Sequence, residues 1–328
     1  MSELAKVYYL SNKPDLIAGT PFSLFNLMLE TQDFNQRITE ANFHDFTWVP
    51  KTGDRIIGKS LIGFSKDALE YSASILLSGN EAKKQRALDD FHDAIEYDVR
   101  HEQPGILYWA EQDSSSEFDI GSAWYIEAYG IASATEPYKD FGPDATKNTV
   151  KFYCLYPFWT KDTVDYNFYT YTDVGHSDGR SSDKEYSSYL SSITPSYAND
   201  CYGYDYDYGL SIRTKQTIFL DVANECPWEI EITGPASNPI IQLGDNVTII
   251  IDYEIRHGET IVINSRNKTI EYVPENGPHI NIFGYRNTEN GGYIFEKIPG
   301  GEQTLSWKGC FGIHLTIFEE RSEPKWTT

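Results

Sequence analysis

Apolar positions in the first 78 residues fall in short clusters separated by polar turns. Lys6–Leu10, Phe22–Leu29 and Phe43–Val49 hold the β-branched and aromatic residues, and Pro14, Gly19, Pro21, Pro50 and Gly53 punctuate them. Each cluster predicts a strand. Leu69–Leu77 predicts another before Ser78-Gly79, although its alternation is imperfect. The pattern then changes period. Ala87, Leu88, Phe91, Ala94 and Ile95 recur at helical spacing, with Lys83, Lys84, Arg86, Asp89, Asp90 and Asp93 on the other face. Asn80 is placed to cap this helix, and Glu81 puts an acid where the helix dipole favours one. The charged face reads as solvated surface.

Strand patterns resume at Ile106–Trp109, Ala123–Ile131 and Thr149–Tyr156, the last running into Pro157-Phe158-Trp159. Proline cannot continue a ladder, so a first domain is expected to span 1–160. Residues 161–215 hold 10 of the 24 tyrosines and lack a long apolar period. They are expected to form an arm or linker that docks its rings elsewhere, because tyrosine supplies contact area that a Ser/Gly linker lacks. From 216 to 328 the pattern is all-β. The strands are Thr217–Leu220, Trp228–Thr233, Val247–Tyr253, Thr260–Asn264, Thr269–Val273, Gly292–Phe295, Gln303–Trp307 and Gly312–Phe318. Gly234-Pro235, Asn238-Pro239, Gly258-Glu259, Asn276-Gly277-Pro278 and Pro299-Gly300-Gly301 turn between them. So many short strands at this spacing point to a sandwich or jelly roll. The expected class is mainly β, with one helix.

Composition sharpens this picture. The 328 residues carry 27 Lys and Arg against 49 Asp and Glu, a formal net charge of −22, which disfavours tight binding to nucleic acid or anionic membranes. No apolar run approaches the ~20 residues of a membrane helix, and no Sec-type leader is visible at the start. Cys154, Cys201, Cys226 and Cys310 form no C-x-x-C pair. They read as small buried hydrophobes of a chain made in a reducing cytoplasm. The 24 Tyr, 17 Phe and 7 Trp favour pleated surfaces and interfaces.

Candidate chemistry is sparse. There is no phosphate-binding loop, dinucleotide fingerprint, zinc-protease motif or nucleophile elbow. His44, His92, His101, His176, His257, His279 and His314 lack the short spacing of a zinc site. Asp173–Arg180 fails the calcium-loop order, because Gly175 and Ser177 stand where acids are needed. With 49 acids, some carboxylate pair always looks possible, so a cell-wall hydrolase has no specific support. The expectation is a non-enzyme with no catalytic, cofactor or metal residues.

The order of segments resembles one known family. It runs through Leu69–Leu77, the helix after Asn80, Glu96–Val99, Gln103–Tyr108, Tyr125-Ile126 and Phe152–Trp159. It continues through the Tyr/Asp stretch ending Asp205–Gly209, then Ile232–Pro239 and the closing Glu320–Trp326. This order is similar to that of the distal tail proteins (Dit) of long-tailed siphophages. The resemblance implies a ring-forming N-terminal β domain and a galectin-like C-terminal sandwich. It also implies a homohexamer, joined to the tail tube protein, a tail-tip hub or tail-associated lysin, and a receptor-binding protein. DNA would pass through the lumen without specific binding, in a virion assembled in the bacterial cytoplasm. Residues 161–190 are longer than that family's pattern needs. A carbohydrate-binding module is the alternative. The galectin sugar pattern His-x-Asn-x-Arg has Phe283 in the place of its arginine after His279 and Asn281, and Trp307 is followed by Lys308 rather than glycine.

Overall fold

The computed structural model describes residues 6–16, 19–55, 57–110, 123–137, 145–168, 213–288, 293–308 and 311–324. The chain divides into two compact units, Met1–Lys161 with Glu320–Thr328, and Asp162–Glu319. In chain order the first unit holds β1 (Lys6–Ser11), β2 (Ser23–Asn26), β3 (Phe34–Ala41), β4 (Val49–Asp54), β5 (Lys59–Ser65) and β6 (Leu69–Gly79). The helix α1 (Glu81–Arg100) follows, then β7 (Gly105–Ala110), β8 (Trp124–Pro137), β9 (Thr146–Cys154) and the start of β10 (Trp159–Phe168).

β8 is the spine of this unit. Its first half pairs with β7, Trp124 opposite Trp109, and its second half pairs with β9, Pro137 opposite Thr146. β7 continues through β1 to β2, and β9 through β6 to β3, all antiparallel. The helix forms where the sequence places it, and the Asn80 side chain accepts from the Lys83 N–H at 3.2 Å. Its buried stripe is longer than the apolar residues suggest. Lys84, Leu88, Phe91, Ala94, Ile95 and Asp98 are all buried, so Lys84 belongs to the core side and not to the solvated face expected for it. The 3.6-residue period carries the stripe one turn beyond the apolar residues at each end. At one end the Lys84 ammonium is neutralised by Glu81 at 2.6 Å and donates to the Thr146 hydroxyl.

At the other end Asp98 ties α1 to β1. Its carboxylate accepts from Tyr9 Oη (2.7 Å), Ser11 Oγ (3.0 Å) and the Asn12 backbone N–H (2.8 Å). Burial and the adjacent carboxylate push the Tyr9 phenol far above its ordinary value. Gly105 is required beside this network, since a Cβ there would stand 2.3 Å from Tyr9 Oη. Around it pack Tyr9, Phe91, Phe152 and Phe25, with ring centroids 5.4–5.8 Å apart in successive pairs.

The second unit is a sandwich. Its strands are the remainder of β10, β11 (Arg213–Leu220), β12 (Trp228–Thr233), β13 (Ala236–Ser237), β14 (Ile240–Leu243), β15 (Val247–Ile250) and β16 (Glu254–Ile255), followed by β17 (Thr260–Asn264), β18 (Thr269–Val273), β19 (Ile280–Asn281), β20 (Gly301–Lys308) and β21 (Gly312–Arg321). One sheet runs β19-β18-β17-β12-β21, the other β11-β20-β14-β15. Period-2 patterning sets the register. Ile230 faces Ile263 and Leu315, while Ile232 faces Ile261 and Ile313, so every inward position meets another inward position. The resulting core is dominated by isoleucine, with Trp228 and Trp307 among its buried members.

Several sequence expectations need correction. Phe43–Val49 is not a strand: Phe43 lies in a turn, buried because its ring packs on Tyr71 and Trp159. Phe22–Leu29 shortens to Ser23–Asn26, and Val247–Tyr253 to Val247–Ile250. Ile294 and Phe295 lie in a turn, not a strand, and are buried there. β3, β4, β5 and β14 were not anticipated. The segment expected as an arm begins and ends in strand, within β10 and β11, and its remainder, 169–212, lies outside the described residues. The Asp173 loop and the Tyr202–Gly209 stretch fall in that remainder.

Replacing Asp98 with alanine strands the Tyr9 hydroxyl and the Asn12 N–H, while Ser11 Oγ keeps the Ala94 carbonyl as an acceptor at 3.1 Å. Asp98→Ala is expected to lower stability by about 2–3 kcal/mol in urea denaturation, and Asp98→Asn by less. A loss under about 0.5 kcal/mol would refute the lock between α1 and β1.

Candidate functional site: an exposed basic hairpin

β4 and β5 form a two-stranded sheet joined, among the described residues, to no other strand. Asp54 pairs with Lys59 at the far end and Val49 with Ser65 at the base, with a register shift between Lys51 and Thr52. The connecting turn closes with the Arg55 N–H donating to the Gly58 carbonyl at 3.1 Å. Gly58 has φ +75, a conformation that favours glycine. Each strand spans about 20 Å at ~3.3 Å per residue.

None of the described residues of this ribbon is buried, yet it is not polar. Ile57 is 91% exposed and Ile62 72%, and Leu61 and Phe64 are each more than half exposed. Phe46, Trp48 and Val49 extend the patch at its base. Lone surface apolar residues need no explanation, but a contiguous group of this size on one projecting element marks a contact surface. The ribbon also opposes the charge of the molecule. Between Val49 and Ser65 stand Lys51, Arg55 and Lys59 against Asp54, in a chain of net charge −22. Among the described residues none of these three bases makes an ion pair.

An aromatic clamp fixes the base. Lys66 follows β5 directly, and its ammonium donates to the Pro157 carbonyl at 2.7 Å. It lies 4.5 Å from the Phe158 ring centroid, 5.5 Å from Trp48 and 5.7 Å from Phe46. Trp48 in turn packs edge-on against Phe158. Burial lowers the Lys66 ammonium to about 8. The group has a carbonyl and three rings around it and serves as a cationic pin between the ribbon and the segment after β9.

The residues weighed for other chemistry sit elsewhere. Trp307 is only 3% exposed and packs 5.2 Å from Phe168, so it presents no face for a sugar to stack on. His279 Nδ1 lies 3.1 Å from Glu271 Oε2, and Asn281 Oδ1 accepts from the Phe283 N–H. Cys154 is buried, which pushes its thiol up to about 12 and leaves it a hydrophobe, and Cys226 is buried too. Among the described residues no three His, Cys, Asp or Glu side chains group to hold a metal ion. The sequence reading missed the ribbon itself, because Pro50 and Gly53 read as breakers. Its signal was the basic cluster Lys51–Lys59 interleaved with isoleucines in an acidic chain.

No protein-family profile matches the chain, and no curated protein matches it. Solved structures do. The SPP1 Dit protein, described as a paradigm of the hub adsorption apparatus in phages infecting Gram-positive bacteria, is 9% identical over 97% of this chain and 99% of that one, with a TM-score of 0.51. Two chains of the phage P2 baseplate in its activated conformation, one with Ca and one with Sr, are 10% and 11% identical. Each covers 98% of this chain and 99% of its own, with a TM-score of 0.53. The fold is therefore the one shared by these phage hub and baseplate chains. More narrowly, the chain resembles Dit.

Acetic anhydride labelling across pH is expected to show Lys66 half-reactive near pH 8, against ~10.4 for ordinary lysines. Between those two values the unfolded chain still holds a proton that the folded chain has released. Folding therefore strengthens as pH rises through that window. A Lys66 profile that overlays the other lysines would contradict the clamp.

Proposed function

We propose that this chain is a structural hub of a phage tail tip, with no catalytic activity. In this reading six copies form a ring that joins the tail tube protein to a tail-tip hub or tail-associated lysin and to a receptor-binding protein. The observation that carries it is the combination of a Dit-like fold over 97–98% of the chain and a projecting ribbon whose apolar side chains lack a partner surface of their own. Residues 1–160 would build the ring, the sandwich of 216–328 would lie outside it, and 161–215 would be the arm between them. Repeated acidic charge suits a lumen through which DNA slides without adhering, since phosphate contacts need bases. Assembly would take place in the host cytoplasm and the product would reside in the virion.

The sandwich serves this reading as a packing and attachment platform. Its buried Trp307 and the side-chain partners of His279 and Asn281 give no support to sugar binding through those residues.

Light scattering on the purified full chain, coupled to size exclusion, is expected to give a particle of six times 37.4 kDa, and negative-stain images a six-fold annulus. A monomer that persists at high concentration, alone and with tail-tube protein added, would overturn the proposal.

A further inference from the structure

The sandwich carries rings on its surface that its core does not absorb. The chain after β15 runs antiparallel to the segment that leaves one turn of 3-10 helix, Phe283–Tyr285. Ile251 bridges Arg286, and the Asp252 N–H donates to the Tyr285 carbonyl at 2.8 Å. Tyr285 keeps 52% of its surface exposed. Its ring is braced from the protein side. Tyr253 meets it edge-on at 5.0 Å, Tyr272 packs on Tyr253 at 5.2 Å, and the Tyr272 hydroxyl donates to the Glu259 carboxylate. Next to the ring, the Asn287 amide donates to Asp252 Oδ2 at 3.0 Å. The other oxygen of that exposed carboxylate has no partner among the described residues. A second half-exposed ring, Tyr293, stands edge-on against Phe295, which stacks on Phe283 beside the Arg286 guanidinium.

We infer that this surface binds a neutral polysaccharide, one pyranose stacking on Tyr285 while its hydroxyls are held by Asp252. A pyranose has two kinds of surface. Its face presents C–H groups of partial positive charge, which the negative face of an aromatic ring attracts. Its rim presents hydroxyls, which make their strongest hydrogen bonds to an ionised carboxylate. Tyr285 and Asp252 match one kind each. The bracing by Tyr253 and the Asn287 bond to Asp252 order both groups before a ligand arrives, which lowers the entropy lost on binding. Size argues against a protein partner. Two half-exposed tyrosines offer about 100 Å² each, against roughly 800 Å² per side in a stable protein interface. Charge argues against a phosphate-bearing polymer, since Asp252 in a chain of net charge −22 repels one. Neither Tyr285 nor Asp252 belongs to the galectin pattern. The site lies within one copy, so it stands or falls independently of the ring.

Saturation-transfer NMR on the full chain, with maltose, cellobiose, lactose and N,N′-diacetylchitobiose as probes, reads the contact directly. At least one probe is expected to receive magnetisation, most strongly at the C–H protons of a single pyranose. Tyr285→Ala and Asp252→Ala should each weaken that binding at least about tenfold. Tyr285→Phe should keep it within about threefold, because the ring face remains. Both positions are exposed, so each variant should retain the parent's circular dichroism. No transfer to any of the four probes would overturn the inference, as would undiminished binding by Tyr285→Ala. Preference for polyglycerol phosphate over the neutral probes would overturn it too. A Tyr285→Ala chain that loses assembly, with no sugar bound by the parent, would make the ring a protein contact and sink the proposal.

Discussion

A two-stranded ribbon cannot bury its own apolar side chains, and in water an isolated hairpin is at best marginally stable. The molecule nonetheless projects one, Val49–Ser65, with isoleucine, leucine and phenylalanine in solvent. Each such side chain gains about 1.5–3 kcal/mol on full burial. That unspent affinity is the constraint around which the rest is arranged. The ribbon needs a rigid base, which the Lys66 clamp provides. Its bases, Lys51, Arg55 and Lys59, also discourage copies from pairing edge to edge, since like charges would then meet.

The first unit supplies rigidity by polar as well as apolar means. Asp98 gathers donors from Tyr9, Ser11 and Asn12 at one end of α1, and Lys84 meets Glu81 and Thr146 at the other. These contacts fix where the helix lies on the sheet. The second unit achieves order differently, through an isoleucine core in strict alternation.

How much of this could be read from the chain depended on whether a residue's neighbours were local. The helix was legible because Asn80 and the Leu88–Phe91–Ile95 stripe act within a few turns. The sandwich strands were legible because one face of each is wet, so period 2 survives. β6 blurred that period because it lies between β3 and β9 and is buried on both faces, Ser74 and Leu76 included. Phe43 misled because a ring held by Tyr71 and Trp159 in a turn looks, in sequence, like a strand residue. Pro50 and Gly53 hid β4, since proline is barred only from central strands and this ribbon is all edge. Trp307 stands in a broken half of the galectin sugar pattern, and the β14–β20 pairing places it opposite Ile241 in the core. The ribbon's exposure was the least legible, because nothing in the local pattern of β4 and β5 says which of their apolar residues stay in solvent.

Sedimentation velocity on the chain with residues 50–64 replaced by a short Gly-Asn turn tests the central claim most directly. The intact chain should sediment as a closed oligomer and the ribbonless chain as a folded monomer with unchanged circular dichroism. An oligomer that survives removal of the ribbon would contradict the account.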